Sequence, residues 1–138
     1  MTSKILKTGI LSIILLFGLM TAGCDFDDGR TVTGVVATLM EGTSSSRDSI
    51  HITWNGASAA TRYEVTYRTH MDSHDTRRTV PSSNNITITT YTHSNYLRDQ
   101  GSLTYYVRAH GTSTDAYDGK EYKWTGEWAV SNEVVVRQ

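Results

Sequence analysis

The chain has 138 residues, with 13 Lys and Arg against 14 Asp and Glu, a single cysteine and a single proline. Its formal net charge of −1 comes with no basic stripe, and Arg77-Arg78 is the nearest approach to a cluster. Nucleic-acid binding, which needs clustered cations against phosphate, is therefore excluded. One cysteine also excludes an internal disulfide, so the fold must rest on its core alone.

Residues 1–23 have the three-part layout of an export signal. Lys4 and Lys7 form a positive start, Ile10 to Met20 an apolar run, and Thr21-Ala22-Gly23 a small-residue approach to Cys24. The run is about half the roughly 20 residues that a spanning helix needs, and no positive flank follows it. Thr21-Ala22-Gly23-Cys24 resembles the lipobox of bacterial lipoproteins, in which Leu is usual where Thr21 stands. The resemblance implies that Cys24 receives a lipid, that the leader is cut before it, and that the mature chain is anchored to a membrane. Several acyl chains hold stably, at about 0.8 kcal/mol per buried methylene. Residues 24–30 read as an acidic tether. Asp25 resembles an inner-membrane retention signal, whereas Asp25, Asp27 and Asp28 together resemble the export tag of surface lipoproteins. Membrane and face thus stay open. Taking Lys4 and Lys7 from 13 leaves 11 basic residues against 14 acidic, a mature charge near −3.

Residues 31–138 amount to one domain. Apolar residues recur at period two, the pattern of half-buried strands, and no window carries helical periodicity. Val32, Gly34 and Val36 open a first strand running to Leu39, and Glu41 to Asp48 reads as a turn. Ile50, Ile52 and Trp54 mark a second strand, ended by Asn55-Gly56; Tyr63, Val65 and Tyr67 mark a third. Arg77 to Val80 is a short edge strand stopped by Pro81. Ile86, Ile88 and Thr90 suggest a fifth strand, and Leu103, Tyr105, Val107 and Ala109 a sixth. Glu127 to Val136 closes the chain, with Trp128, Val130, Val134 and Val136 expected inside. Seven strands at this spacing predict an all-β, immunoglobulin-like β-sandwich.

Four segments, in order, resemble a fibronectin type III domain. They are residues 49–54 (SIHITW), 62–68 (RYEVTYR), Leu97 followed by 105–109 (YYVRA), and 128–134 (WAVSNEV). The resemblance covers nearly all of 31–138 and implies that Trp54 anchors the core. It departs from the family in lacking a proline at the first strand and in having Arg98-Asp99-Gln100-Gly101 where Pro-Gly is usual. The family's corner tyrosine falls on Leu103 or on Tyr105, depending on alignment.

The segment Gly111–Gly126 joins the last two strands over about 16 residues, longer than most hairpin loops. It carries Tyr117, Tyr122 and Trp124, residue types that dominate binding hot spots, and these three are the candidate ligand-binding residues. The alternative is that the two strands extend as a longer hairpin with Tyr122 and Trp124 packed across it. Trp124 and Trp128 could also stack with Arg108 in a Trp–Arg ladder.

Other sites are weaker. His70, Asp72, His74 and Asp75 have imidazole and carboxylate ligands for a metal, but a histidine spacing of four suits a helix face and this segment reads as a solvated loop. No Gly-x-Ser-x-Gly elbow occurs, and Glu41, Glu64, Glu121, Glu127 and Glu133 are scattered. No cofactor is implied. The expectation is a non-catalytic, lipid-anchored envelope protein that binds a protein or glycan. The alternatives are a subunit or spacer of an envelope assembly pairing through an edge strand and, third, a small metal-dependent or hydrolytic protein.

Overall fold

Alternating Thr, Val, Ile and Tyr residues form strands throughout the described part of the chain. The computed structural model describes residues 29–42, 48–74, 76–80, 85–94 and 101–136, and contains no helix longer than a single turn among them. The leader, Cys24, most of the tether, Pro81 and residues 97–100 lie outside the described residues. The elements are β1 (Thr33–Met40), β2 (Ser49–Asn55), β3 (Arg62–Thr69), β4 (Arg78–Thr79), β5 (Thr90–His93), β6 (Ser102–Thr114), β7 (Glu121–Thr125) and β8 (Ala129–Val135).

Two antiparallel sheets result. One runs β1-β2-β5; the other runs β4-β3-β6-β7, with β8 also paired to β6. The chain is thus an all-β sandwich, with an immunoglobulin-like strand order in which the fourth strand has joined the second sheet. Between the sheets lie Ile50, Ile52, Val65, Leu103, Tyr105 and Val107, all essentially inaccessible, with Val35, Ala37, Trp54, Tyr63, Val134 and Val136 around them. Trp54 packs edge-on to Tyr63 at 5.4 Å between ring centroids. Gly29 is buried, and its carbonyl accepts the Ala59 N–H at 2.8 Å, so the packed body begins inside the stretch expected to be tether.

Several expectations shift, each for a local reason. In β1 the inward residues are Val35 and Ala37, and Val36 is exposed. Gly34, at φ +59°, sits in a bulge between Thr33 and Val36 that reverses the parity. A second bulge in β8 sets Ser131 and Asn132 opposite Tyr105, so Val134 and Val136 are inside as expected but Val130 is outside. Trp128 lies on the outer face rather than in the core. The fifth strand is Thr90–His93, later than expected: Ile86 makes only an isolated bridge to Tyr63, and Ile88 is exposed.

The β8 bulge has a second effect. Asn132 Nδ2 donates to the Ala37 carbonyl and Asn132 Oδ1 accepts the Ala37 N–H, both at 2.9 Å. The side-chain amide thus occupies both edge-facing groups of Ala37 and joins β1 to β8 across the open side of the sandwich.

One polar cluster sits in the core. His93, 5% exposed, has its Nδ1 2.8 Å from the Tyr105 hydroxyl, and Tyr67 lies against its ring at 4.9 Å. The Tyr105 hydroxyl is therefore spent on His93, a buried partner from the opposite sheet. Burial pushes the Tyr105 and Tyr91 phenols up and the His93 imidazolium down. A histidine whose native pKa lies below its ordinary 6.5 adds stability above that pH. The contribution is lost as pH falls below 6.5, because the unfolded chain binds a proton the native core refuses. Denaturant titrations between pH 7.5 and 5 should show stability falling with acidity, and His93→Gln should flatten that slope while lowering stability at pH 7.5. An unchanged slope in the variant would exclude His93 as its source.

Candidate functional site

β6 is the longest strand, and it outruns its neighbour. β3 pairs with it only as far as Arg62 opposite His110; from Gly111 to Thr114 its partner is β7. The expected long loop is therefore an extended hairpin, closed by a turn over residues 115–120. Two-stranded ribbons are marginal alone, so this one needs local fastening.

The turn supplies it. Asp115 Oδ1 accepts the Tyr117 N–H at 2.7 Å, and Asp118 Oδ1 accepts the Lys120 N–H at 3.0 Å. The Asp115 N–H donates to the Lys120 carbonyl and the Gly119 N–H to the Asp115 carbonyl, both at 2.9 Å. Gly119 takes φ +70°, a conformation that a side chain would strain. The Lys120 backbone N–H and then its ammonium, 3.0 Å away, hold the Asp118 carboxyl below the usual range. These aspartate-headed turns fix the tip in one shape.

The three aromatic candidates then part company. Tyr117, at the tip, is 100% exposed, and Tyr122 on the ribbon is 49% exposed. Trp124 is half-buried at the root, paired across the ribbon with Gly111. A side chain at Gly111 would collide with the Trp124 ring and the Ala59 carbonyl, so the indole fills the space the glycine leaves. The Arg30 guanidinium lies 5.4 Å from the Trp124 ring centroid. An open groove of about 340 Å³ beside it is lined by Thr61, Arg62, His110, Thr112, Lys123 and Trp124 among others.

The outer face of the larger sheet carries a stacked row. Arg108 lies 4.2 Å and Arg77 4.8 Å from the centroid of Trp128, and Arg77 also covers Tyr106 at 4.6 Å. The expected ladder thus forms on Trp128, while Trp124 stacks with Arg30 instead. Glu64 ties the row together, receiving Arg108 Nε at 2.8 Å with His110 Nε2 at 2.9 Å. Burial raises the Glu64 carboxyl, but the hydrogen bonds and charges of Arg108 and His110 outweigh it and leave its pKa lowered. His110 Nδ1 also lies 3.1 Å from Thr125 Oγ1. These two contacts of His110 link the Thr125 hydroxyl, the imidazole and the Glu64 carboxylate, and the adjacent Gly126 N–H donates to the Ala109 carbonyl at 2.9 Å. The row serves as a strut at the hairpin root.

In the loop after β3, Asp72 accepts the Thr69 N–H at 2.8 Å and two nitrogens of Arg78. The Arg78 guanidinium, followed by the Thr69 backbone, brings its carboxyl down to about 2. Asp72 is thus committed to fastening β4, and Asp75 lies outside the described residues. Among the described residues no three His, Cys, Asp or Glu side chains are placed to hold a metal.

No protein-family model matches the chain, and no curated protein matches it. Among solved structures, an Fn3-like protein from Clostridium thermocellum is similar, with 26% identity over 75% of this chain and 93% of that one, at a TM-score of 0.45.

The different packing of the aromatics gives a direct test. Trp124→Ala should destabilise the fold by about 1–3 kcal/mol, because it opens space over Gly111, whereas Tyr117→Ala should stay within about 0.5 kcal/mol. Thermal unfolding followed by circular dichroism measures both, and equal losses would contradict the assignment of Trp124 to the framework.

Proposed function

We propose that this is a lipid-anchored, non-catalytic envelope protein whose sandwich presents the β6–β7 hairpin to a protein or glycan partner. The observation that carries the reading is Tyr117, wholly exposed on a turn held by four hydrogen bonds from residues 115–120. An aromatic side chain in water on a rigid support loses little further entropy on binding and offers a large contact area. Tyr122, half-exposed on β7 with its hydroxyl bonded to Asp118, is the second aromatic of the hairpin, and the groove at the root adds Arg62, Lys123 and threonine hydroxyls for polar groups. Trp124 belongs to the support.

The anchor half of the proposal rests on Thr21-Ala22-Gly23-Cys24 behind the apolar run, with Cys24 as the chain's one cysteine. Cys24→Ser should leave an uncleaved precursor, while the unaltered chain should gain the mass of its acyl groups at a new terminus on Cys24. Cleavage elsewhere with no added lipid would refute it.

The binding half is tested by crosslinking on intact envelopes and identifying what is captured with the full chain. Tyr117→Ala/Tyr122→Ala should abolish the captured species at unchanged melting temperature. Undiminished capture would move the contact off the hairpin.

A further inference from the structure

Strand pairing places the start of the body and the root of the hairpin at one end of the sandwich. Thr33, at the start of β1, is opposite Asn55, at the end of β2; the following connection leads to Arg62, which is opposite His110. Contacts confirm the placement. Gly29 bonds to Ala59, the Ala59 carbonyl lies over Gly111, Arg30 stacks on Trp124, and the Arg30 carbonyl lies against Gly126. The chain therefore enters the body beside the point from which the hairpin leaves it.

Two lengths then matter. From Cys24 to Gly29 the covalent chain spans at most about 18 Å, at 3.3–3.6 Å per residue. From Gly111 to the tip at Tyr117 the hairpin reaches about 15 Å, three strand steps at roughly 3.4 Å and the height of the turn. A fully extended tether to a lipid at Cys24 would thus exceed the hairpin by only about 3 Å, and any slack in it brings the tip to the bilayer. The opposite end of the sandwich, where β1 finishes at Met40, is the one turned to solvent.

We infer that the hairpin tip meets the headgroup layer of the membrane carrying the anchor, so that the partner of Tyr117 and Tyr122 is a lipid headgroup surface. This rests on the anchor proposed at Cys24, and it gives the same hairpin a membrane surface in place of the protein or glycan proposed above. Tyrosine suits that layer, since its ring and hydroxyl match an interface that is apolar on one side and wet on the other. Lys120 is paired with Asp118 at 3.0 Å, and Glu121 and Lys123 flank Tyr122, so the three acidic and two basic residues from 115 to 123 sum to −1 and the contact suits zwitterionic headgroups rather than anionic ones. The contact is an orienting one: the lipid holds the protein, and the tip sets which way the sandwich stands.

The test uses the full chain, processed in a lipidating bacterial host and reconstituted into vesicles of phosphatidylethanolamine and phosphatidylglycerol. Because Cys24 is acylated, a nitroxide can be placed singly through Tyr117→Cys or Met40→Cys, both at exposed positions. On reconstitution the label at 117 should lose most of its accessibility to a water-soluble relaxation agent, and the label at 40 should keep it. Mass spectrometry separates the two readings. An unacylated chain overturns both the anchor and this inference. An acylated chain whose label at 117 stays as water-accessible as that at 40 overturns this inference alone. So does a label at 117 that is shielded only when a second protein is added, since the partner is then that protein.

Discussion

A sheet edge exposes backbone N–H and C=O groups that must be paired, covered or left to water, and a sandwich without a disulfide has only hydrogen bonds and packing with which to do it. This chain resolves most of its edges around β6. That strand pairs with β3 along one side and, on the other, with β7 along its far end and β8 along its near end. The β8 segment is bulged at Ser131 and Asn132. Ser131 Oγ takes the Tyr105 N–H at 3.0 Å, and Asn132 turns outward to bind Ala37. One irregularity therefore repairs the ladder it breaks and closes the gap to β1. Without it, β1 would present a bare edge next to β8, and the two sheets would be linked on that side by packing alone.

The core is built around the same strand. Leu103, Tyr105, Val107 and Ala109 point inward from β6, and Tyr106, Arg108 and His110 point outward into the Arg77–Trp128–Arg108 stack and its Glu64 strut. On the inner side, the Tyr105–His93 hydrogen bond ties the larger sheet to the edge strand of the smaller. A buried polar pair of this kind is a register device, because sliding β5 by one residue would put His93 in solvent and leave the Tyr105 hydroxyl without its partner. Each cation–π contact on the outer side is worth about 0.5–1 kcal/mol, and in series they hold the base from which the hairpin springs.

Period-two alternation made the architecture legible: Ile50/Ile52/Trp54, Tyr63/Val65 and Leu103/Tyr105/Val107/Ala109 are inside as the pattern requires. It failed where parity changes within a strand. At Gly34 the signal was present, since an isolated glycine in a strand often marks a bulge. At Ser131-Asn132 nothing in the local residue types announces one, because its cause is a partner, Ala37, almost a hundred positions away. β5 was displaced because Ile86 and Ile88 alternate as well as Tyr91 and His93 do, and only pairing with β2 decides between them. In the hairpin, Asp115, Asp118 and Gly119 were readable as turn formers. The rigidity they confer, and the division of Trp124 from Tyr117 and Tyr122, depend on Gly111 and Ala59 across the fold and were not readable. Trp128 as the centre of the outer stack was half legible, since Arg108 was in view and Arg77 was not.

The hairpin's two ends obey opposite rules. At its root every large group is used twice: Trp124 fills the space over Gly111 and receives Arg30, while His110 spans Glu64 and Thr125. At its tip the backbone is fastened by side chains that are themselves consumed in the turn, and the one large side chain left over, Tyr117, touches nothing. An exposed tyrosine adds nothing to folding, so its rigid presentation gains value only if something outside the chain meets it. Because the chain enters the body at that same end, an anchor at Cys24 as proposed would let the few residues between Cys24 and Gly29 set the room available for such a partner. Under that proposal the tether's length acts on recognition alongside the side chains: a longer one would free the tip to search, and a short one would commit it to whatever lies at the membrane surface.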